Sequence, residues 1–227
     1  SVLVLERNPE IGGATQSKQV FEGVDARLSV YSYLISLFPQ KIINDLGLNL
    51  DLRSRRTASW TPSIENGRYR ELLIRNGDPE GNRNAFLELT GNTKDFQGYL
   101  ELQQMQGKLA SVIWPSLTSP LVTRNEMRDR LDPEGERAWQ ALIEEPLGNV
   151  IEQLISDDLI RGVVFTDARI GVSTFPDDPT LLQNLCFLYH IIGRGTGEWR
   201  VPVGGMGALV NELTRVANST GRVTFVN

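Results

Sequence analysis

The chain has 227 residues, with 23 Lys and Arg against 28 Asp and Glu, so its formal net charge is −5. Hydrophobic residues make up 40% of it, enough to build a core, which excludes a disordered or fibrous chain. One cysteine excludes an internal disulfide and, with one histidine, a Cys/His zinc site, while the acidic balance argues against a nucleic-acid partner. No apolar run approaches the roughly 18 residues of a membrane span, so we expect a soluble protein of a reducing compartment, the cytoplasm.

The sequence opens with four aliphatic residues, 2–5, followed by Glu6. This run predicts a central parallel strand that is covered on both faces and ends in an acidic residue. A loop with the pair Gly12-Gly13 follows. A carboxylate at the end of a parallel strand can hold ribose hydroxyls, and paired glycines let backbone N–H groups approach a pyrophosphate. An ordinary turn after an ordinary strand explains the same residues about equally well.

The middle of the chain shows one strand-rich stretch and then helical periodicity. Residues 39–47 predict a short helix closed by a glycine. Strand-forming residues between 50 and 75 flank Asn66-Gly67, which predicts a β-hairpin, and the Asn- and Gly-rich stretch 76–92 predicts a loop. Helices are then predicted at 95–114, at 124–143 with a break at Asp132-Pro133, at 147–155, and at 181–192, which is apolar and indicates a buried helix or a substrate-cavity wall.

A second glycine pair, Gly204-Gly205, precedes a helical periodicity that runs from Met206 to Ala217. A helix N-terminus gathers free N–H groups and the positive end of the helix dipole, which favours an electron-rich or anionic ligand group. A turn that lets the helix pack tightly on a sheet explains these glycines equally well. Residues 222–227 alternate like a strand, and strands at both ends predict that these residues are a piece of a longer protein.

Taken together, the two glycine segments resemble the FAD-dependent oxidoreductases of the phytoene dehydrogenase-related family, which are carotenoid desaturase-like proteins within the wider amine-oxidase-like flavoprotein group. The matching segments are VLVLERNPEIGGATQS at the start, FEGVDARLSVYSYLISLFPQKIINDLGL after it, and EWRVPVGGMGALVNELTRVANSTGRVTFVN at the end. Residues 156–195 also look like the family's helical substrate-domain pattern. The resemblance is weakest between Arg53 and Ile143.

The resemblance implies an α/β protein, α+β in its middle part, with two domains. A partial Rossmann-like FAD-binding domain would comprise residues 1–49 and 196–227. A largely helical substrate-binding or lid domain, carrying the hairpin, would comprise residues 50–195. FAD would supply hydride transfer to or from an apolar small-molecule substrate of the polyene or isoprenoid kind. A ketolase, an isomerase, an amine-oxidase-like enzyme and a non-catalytic binding module on the same fold remain alternatives, and peripheral membrane contact and the oligomeric state stay open.

Position by position, the resemblance assigns Glu6 to the adenosine ribose and Gly12, Gly13 and Ala14 to the pyrophosphate region of FAD. Ala14 departs from the family, since many members carry Arg there, and this removes a charged contact with the cofactor. The family's opening strand with G-x-G-x-x-G is not among these residues, so we expect them to hold FAD weakly or not at all. No residue is singled out as catalytic. The residues expected near the flavin or the substrate are Gly204, Gly205 and Met206.

Four further features could carry chemistry, and each favours a structural role. His190 lies in an apolar helical run and predicts a core or cavity histidine. Cys186, one turn before it, predicts a buried, inert thiol, because no orienting carboxylate is evident beside the pair. The acidic pairs Asp157-Asp158 and Asp177-Asp178 predict a solvated helix end and a helix start rather than a cation site. The four tryptophans predict packing anchors rather than stacking platforms.

Overall fold

The computed structural model describes residues 1–226 and mixes helices with strands, 48% helical and 17% strand, in agreement with the predicted α/β class. Asn227, the last residue of the predicted FAD-binding segment, lies outside the described residues. The chain divides into two compact units. Unit 1 holds residues 1–54 together with the segment from Trp199 onward, and unit 2 holds Arg55–Glu198. The assignment of these parts to a cofactor and a substrate stays a prediction.

Short strands lie mainly in the first third of the chain, and helices fill most of the remainder. The strands are β1 (Val2–Leu5), β2 (Ser17–Gln19), β3 (Arg27–Ser29), β4 (Leu52–Ser54), β5 (Thr57–Glu65), β6 (Arg68–Arg75), β7 (Arg200–Pro202) and β8 (Val223–Val226). The helices are α1 (Gln40–Leu46), α2 (Pro79–Thr90), α3 (Lys94–Ile113), α4 (Arg124–Arg128), α5 (Pro133–Trp139), which continues as a π-helix over Gln140–Glu144, α6 (Leu147–Leu154), α7 (Asp158–Phe165), α8 (Leu182–Ile191) and α9 (Gly207–Ser219).

Unit 1 pairs the first strand with the last described one. β1 and β8 are parallel and in register, with β2–β3 and β4–β7 as short antiparallel pairs. The prediction that β1 is covered on both faces is wrong for residues 1–226: Val2, Leu3 and Leu5 are 58%, 60% and 74% exposed, because β8 is its one strand partner there. The core of unit 1 is instead built by side chains of α1, α9 and their flanking segments, namely Ile35, Ile43, Leu48, Met206 and Leu209.

Two predicted helices of unit 1 are confirmed, each with its sequence signal. α1 ends at Gly47, which adopts a left-handed φ of +58° that a residue with a Cβ rarely takes. α9 follows the second glycine pair and leads, after Gly221, into β8. Gly221 therefore separates α9 from β8, in agreement with the strand that the alternating residues 222–227 predict.

Unit 2 begins with the predicted hairpin of β5 and β6, which is confirmed. Asn66 and Gly67 both have positive φ, +50° and +76°, as a two-residue hairpin turn with the twist of the strands requires. The inner face of the hairpin buries Leu72 and Ile74 against α2. Trp60, predicted to be a packing anchor, is 57% exposed on the opposite face.

The prediction of a loop at residues 76–92 is wrong, because most of this stretch forms α2. The Asp78 carboxylate caps the helix by accepting the N–H of Gly81 at 2.9 Å. Pro79 occupies the first helical position, where its missing N–H costs nothing, and Gly91 ends the helix at a φ of +75°. Phe86 is fully buried. The high Asn and Gly content favours a loop, but the stretch also contains a helix start signal, Asp78-Pro79, and a helix stop signal, Gly91.

The other predicted helices are confirmed as α3, α4 with α5, α6 and α8, with the break at Asp132-Pro133 where Asp132 caps α5. α8 is only half buried: Asn184 and Phe187 lie in the core, whereas Leu185 and Tyr189 are 66% and 60% exposed. No helix among residues 1–226 is both long enough and apolar enough to span a bilayer.

One residue of each acidic pair departs from its prediction, which is a solvated helix end for Asp157-Asp158 and a helix start for Asp177-Asp178. Asp157 caps α7, and its carboxylate forms an ion pair with Arg70 at 2.7 Å. Asp178 is buried and precedes α8 by four residues, so it does not start the helix. Its carboxylate accepts hydrogen bonds from the Thr174 hydroxyl at 2.8 Å and from the N–H and hydroxyl of Thr180 at 2.9 and 2.7 Å. Both carboxylates are held by local hydrogen bonds that composition alone does not reveal.

Candidate functional site

The glycine segments predicted to share a ligand lie at one edge of unit 1. Glu6 continues the parallel ladder by donating its N–H to the carbonyl of Val226 at 2.8 Å, so it stands at the carboxyl end of β1. α9 joins β8 through the short turn 220–222, and its first turns lie against the segment that follows β1, since Gly207 hydrogen-bonds Ser17 and Val210 approaches Gly12. In parallel sheets this edge is where α/β proteins bind ligands.

Glu6 is the acidic residue at this edge. It is half-buried, and its Oε1 accepts the N–H of Asn8 at 2.8 Å, which holds the carboxylate at the end of the strand. Its second oxygen has no hydrogen-bond partner among residues 1–226. The carboxylate can therefore accept hydrogen bonds from a ligand hydroxyl.

The two glycines of the first pair have different surroundings. Gly12 has a φ of +122°, and a Cβ there would lie 2.9 Å from a methyl carbon of Val210 on α9. Gly13 has a φ of +50°, and nothing lies within 4 Å of where its Cβ would be. Gly12 thus lets the loop pack on α9, whereas Gly13 borders open space that a ligand can enter.

Ser17 connects the two glycine segments. Its hydroxyl oxygen accepts the N–H of Gly207, the first residue of α9, at 2.9 Å. A Cβ on Gly205 would lie 2.8 Å from this oxygen, and one on Gly207 would lie 3.2 Å from the backbone nitrogen of Ser17. The role of Ser17 cannot be predicted from the sequence, because a hydroxyl residue near a glycine pair is too common a pattern to indicate a partner 190 residues away.

The second glycine pair presents backbone rather than side chains. Gly204 is exposed at a φ of +87°, and Gly205 is half-buried at +78°. The side chain of Met206 is only 4% exposed and packs with Ile35 and Leu209 in the core of unit 1. Met206 can therefore meet a ligand through its backbone N–H alone.

Unpaired N–H groups make this edge suitable for a phosphate. Within residues 1–226, the N–H groups of Gly12, Gly13 and Ala14 have no hydrogen-bond acceptor, and the last two residues are exposed. The N–H groups at the start of α9 are already paired: those of Gly207, Ala208 and Leu209 donate to the Ser17 hydroxyl and to the carbonyls of Gly205 and Met206. Free N–H groups beside glycines, such as those of the Gly12-Gly13 loop, are donors that bind pyrophosphate oxygens. The residues present therefore fit the ribose and pyrophosphate of a dinucleotide.

The two neighbouring glycines give a paired prediction. Gly12→Ala should lower the free energy of unfolding by about 2–3 kcal/mol, because a strained φ and a clash with Val210 add together. Gly13→Ala should cost only about 1 kcal/mol, since the left-handed φ is its one penalty. Urea denaturation of both variants measures the difference, and equal losses would contradict the packing described for Gly12.

A second group of titratable side chains surrounds α8 in unit 2. The Sγ of Cys186 lies 3.8 Å from Nδ1 of His190, but that nitrogen is 2.7 Å from the Cys186 carbonyl oxygen, which accepts the ring N–H. The carbonyl oxygens of Asp167 and Ile170 lie 3.4 and 3.3 Å from Sγ and share the single S–H proton as acceptors. The predicted burial of Cys186 is confirmed. The His190 ring therefore does not act as a base toward the Cys186 thiol, and this geometry does not activate the thiol as a nucleophile.

The expectation that no carboxylate lies beside Cys186 and His190 is wrong, because the carboxylate of Asp167 lies near both. Burial raises the pKa of Asp167, and the charges of His190 and Arg55 partly offset this. Burial also raises the pKa of the Cys186 thiol, and the negative charge of Asp167 adds to the effect, so the thiol stays protonated at neutral pH. Burial, with Asp167 as a second cause, raises the pKa of Tyr99 to about 12. Asp167 lies 19 residues from Cys186, so only the fold reveals their proximity.

The raised pKa of Asp167 predicts a pH dependence of stability. A carboxyl whose pKa is higher in the folded protein stabilises it below the unfolded pKa of about 3.9, and this contribution is lost as pH rises through the folded pKa. Asp167→Asn cannot titrate, so its unfolding free energy relative to the wild type should increase as pH rises through that range. Urea denaturation across a pH series tests this, and a relative stability that falls with rising pH would contradict it.

Comparison with known proteins adds relatives but no matching protein-family model. Uncharacterised proteins of Mycobacterium bovis and Mycobacterium tuberculosis are 40% identical to the chain over 225 residues, which is 97% of the chain and 42% of their own length. Pyridine nucleotide-disulfide oxidoreductase domain-containing protein 2 of Mus musculus is 28% identical over 251 residues, covering 98% of the chain and 42% of that protein. The chain thus spans less than half the length of these relatives. The oxidoreductase domain appears in the name of the mouse protein alone among these relatives, and none of the names refers to phytoene dehydrogenase.

Proposed function

We propose that the chain is the FAD-binding and substrate-facing part of a flavin-dependent oxidoreductase. The observation that carries this proposal is the meeting of Glu6, the Gly12-Gly13 loop and the N-terminus of α9 at the carboxyl edge of β1 and β8. The similarity to mammalian proteins named for an oxidoreductase domain supports it. Neither observation depends on the other.

Each group at this edge has a role in the proposal. The Glu6 carboxylate accepts hydrogen bonds from the hydroxyls of the adenosine ribose, and the N–H groups of Gly13 and Ala14 bind the pyrophosphate. Gly204 and Gly205 allow the cofactor or the substrate to approach the backbone before α9. Gly12 and Ser17 hold the two segments together and touch no ligand themselves.

FAD, when bound, supplies the hydride-transfer chemistry. The finer proposal follows the resemblance to the phytoene dehydrogenase-related family: the substrate is an apolar small molecule, of the polyene or isoprenoid kind, and unit 2 contributes its binding surface. No residue of this chain is assigned to catalysis. A ketolase, isomerase or amine-oxidase-like reaction remains an alternative on the same site, because a fold does not fix a reaction.

A comparison of three ligands tests the cofactor proposal on the 227-residue chain. FAD and ADP should both bind, weakly but saturably, because both carry the adenosine ribose and the pyrophosphate. FMN should not bind, because it has neither group. Isothermal titration calorimetry measures all three, and binding of FMN as tight as that of FAD and ADP would contradict the assignment of this edge to the adenosine ribose and the pyrophosphate.

A matched pair of glycine variants separates binding from folding. Gly13→Ala should weaken ADP binding about tenfold, because it puts a methyl group where the phosphate approaches. Gly23→Ala should leave the affinity unchanged, although Gly23 also has a positive φ, +73°, and open space around it. Equal affinities of the two variants for ADP would contradict the assignment of Gly13.

A further inference from the structure

The outer face of the β5–β6 hairpin is exposed. Its inner face packs on α2, and the outer side chains alternate with the buried Leu72 and Ile74. The outer face consists of Trp60, Pro62 and Ile64 on β5 and Tyr69, Glu71, Leu73 and Arg75 on β6. Trp60, Ile64 and Tyr69 are 57%, 78% and 62% exposed. Aromatic and aliphatic groups exposed together in this way are typical of an interaction surface.

One carboxylate holds the two aromatic rings of this face. Trp60 donates its indole N–H, and Tyr69 its hydroxyl, to the same oxygen of Glu71, at 2.9 and 2.7 Å. The hydrogen bonds from Tyr69 and then from Trp60 lower the pKa of Glu71, so the carboxylate is ionised at neutral pH. Because the rings are oriented before any partner arrives, burying them costs less side-chain entropy.

The charges of the outer face are arranged symmetrically about Leu73. Glu71 lies two residues before Leu73 on β6, and Arg75 lies two residues after it, while Trp60 is the cross-strand partner of Leu73. The ion pair that Arg75 makes among residues 1–226 is with Asp78, at 3.9 Å, beyond hydrogen-bond distance. Turning the strand end for end exchanges the acid and the base, so the face is complementary in charge to itself.

We propose that this outer face binds the same face of a second copy of the chain. A two-fold axis between the faces, perpendicular to the strands at the level of Leu73, sets Glu71 opposite the partner's Arg75 and brings the two Trp60 rings together. Facing sheets pack about 10 Å apart, a gap that Glu and Arg side chains span. A membrane surface suits the face less well, because an ionised carboxylate lies among its apolar groups.

The size of the face sets the expected strength of the dimer. Strands of this length, two across, present roughly 300 Å², well below the roughly 800 Å² per partner of a standard stable interface. We therefore expect a weak dimer, whose dissociation constant is micromolar or higher. Such a dimer is visible as a concentration-dependent mass.

Charge reversal in the 227-residue chain tests the proposal by sedimentation equilibrium over a range of concentrations. E71R and R75E should each weaken the dimer about tenfold or more, since each sets like charges opposite one another. The double variant E71R/R75E should bind about tenfold or more tighter than either single variant, because opposite charges again face each other, although it lacks the hydrogen bonds from Trp60 and Tyr69 to Glu71. A merely damaged hairpin would show no such recovery. Arg68→Glu is the control for R75E. It makes the same change from a positive to a negative charge on β6, but off the outer face, and should leave the dimer intact.

Four results would overturn the proposal. They are a monomer at every concentration, a dimer that survives both single reversals, a double variant that stays monomeric, and a monomer that sediments with vesicles of phosphatidylcholine and phosphatidylglycerol through Trp60. The last result would assign the face to a lipid surface instead.

Discussion

Gly98→Ala is expected to lower the free energy of unfolding by about 3 kcal/mol or more. Gly98 lies in α3, where a Cβ would overlap the carbonyl group of Leu154 in α6 and lie 2.7 Å from its carbon atom. That carbonyl belongs to the backbone, so it cannot rotate away as a flexible side chain can. The two helices would have to separate, which would disturb the close packing of the core around Phe96 and Leu102.

The same helix provides the control for Gly98. Gly107 is exposed, and nothing lies within 4 Å of where its Cβ would be. Gly107→Ala should therefore stabilise the protein by about 1 kcal/mol through helix propensity alone. Urea denaturation of both variants gives the two values. If Gly98→Ala is as stable as Gly107→Ala, the close approach of α3 and α6 is incorrect.

Asn184→Ala is expected to cost about 3–4 kcal/mol, because it leaves three backbone groups without partners, two of them buried and one partly buried. The amide of Asn184 is 4% exposed on α8. Its oxygen accepts the N–H of Leu147 at 3.1 Å, and its nitrogen donates to the carbonyls of Leu142 and Glu145 at 3.0 and 2.7 Å. These groups lie where the π-helix gives way to α6, so regular helical hydrogen bonds do not satisfy them.

The neighbour of Asn184 gives the comparison for this prediction. Leu185 is 66% exposed, so Leu185→Ala should change the free energy of unfolding by no more than about 0.5 kcal/mol. Thermal or urea denaturation of both variants decides the matter. A loss below about 1 kcal/mol for Asn184→Ala would mean that water replaces its hydrogen bonds, and that the amide does not hold this junction.

Elements with strong local signals could be predicted from the sequence. The Asn66-Gly67 turn, the glycine after α1 and the apolar periodicity of α3 each act within a few residues. The sequence does not predict the short strands β2, β3 and β7, because three residues carry little periodicity. β4 falls within the predicted strand-forming stretch 50–75, but its pairing depends on a distant segment. β4 pairs with β7, whose residues lie far along the chain from Leu52.

The candidate site was predictable in its parts but not in its assembly. Glu6 and the glycine pairs follow from residue type and position along predicted elements. Ser17 and Asp167 do not, because each acquires its partners only through folding. The outward exposure of β1 has the same cause: an aliphatic run predicts a buried strand, but burial depends on which other elements cover it.

Backbone amide shifts in the presence of ADP test the central claim most directly. The claim is that Glu6, the Gly12-Gly13 loop and the N-terminus of α9 serve one nucleotide. In ¹⁵N–¹H spectra of the labelled 227-residue chain, ADP should shift the amides of Gly13, Ala14 and Gly204 together, with one common saturation curve. Shifts at only one of the two glycine segments, or none at either as ADP reaches millimolar concentration, would contradict the claim.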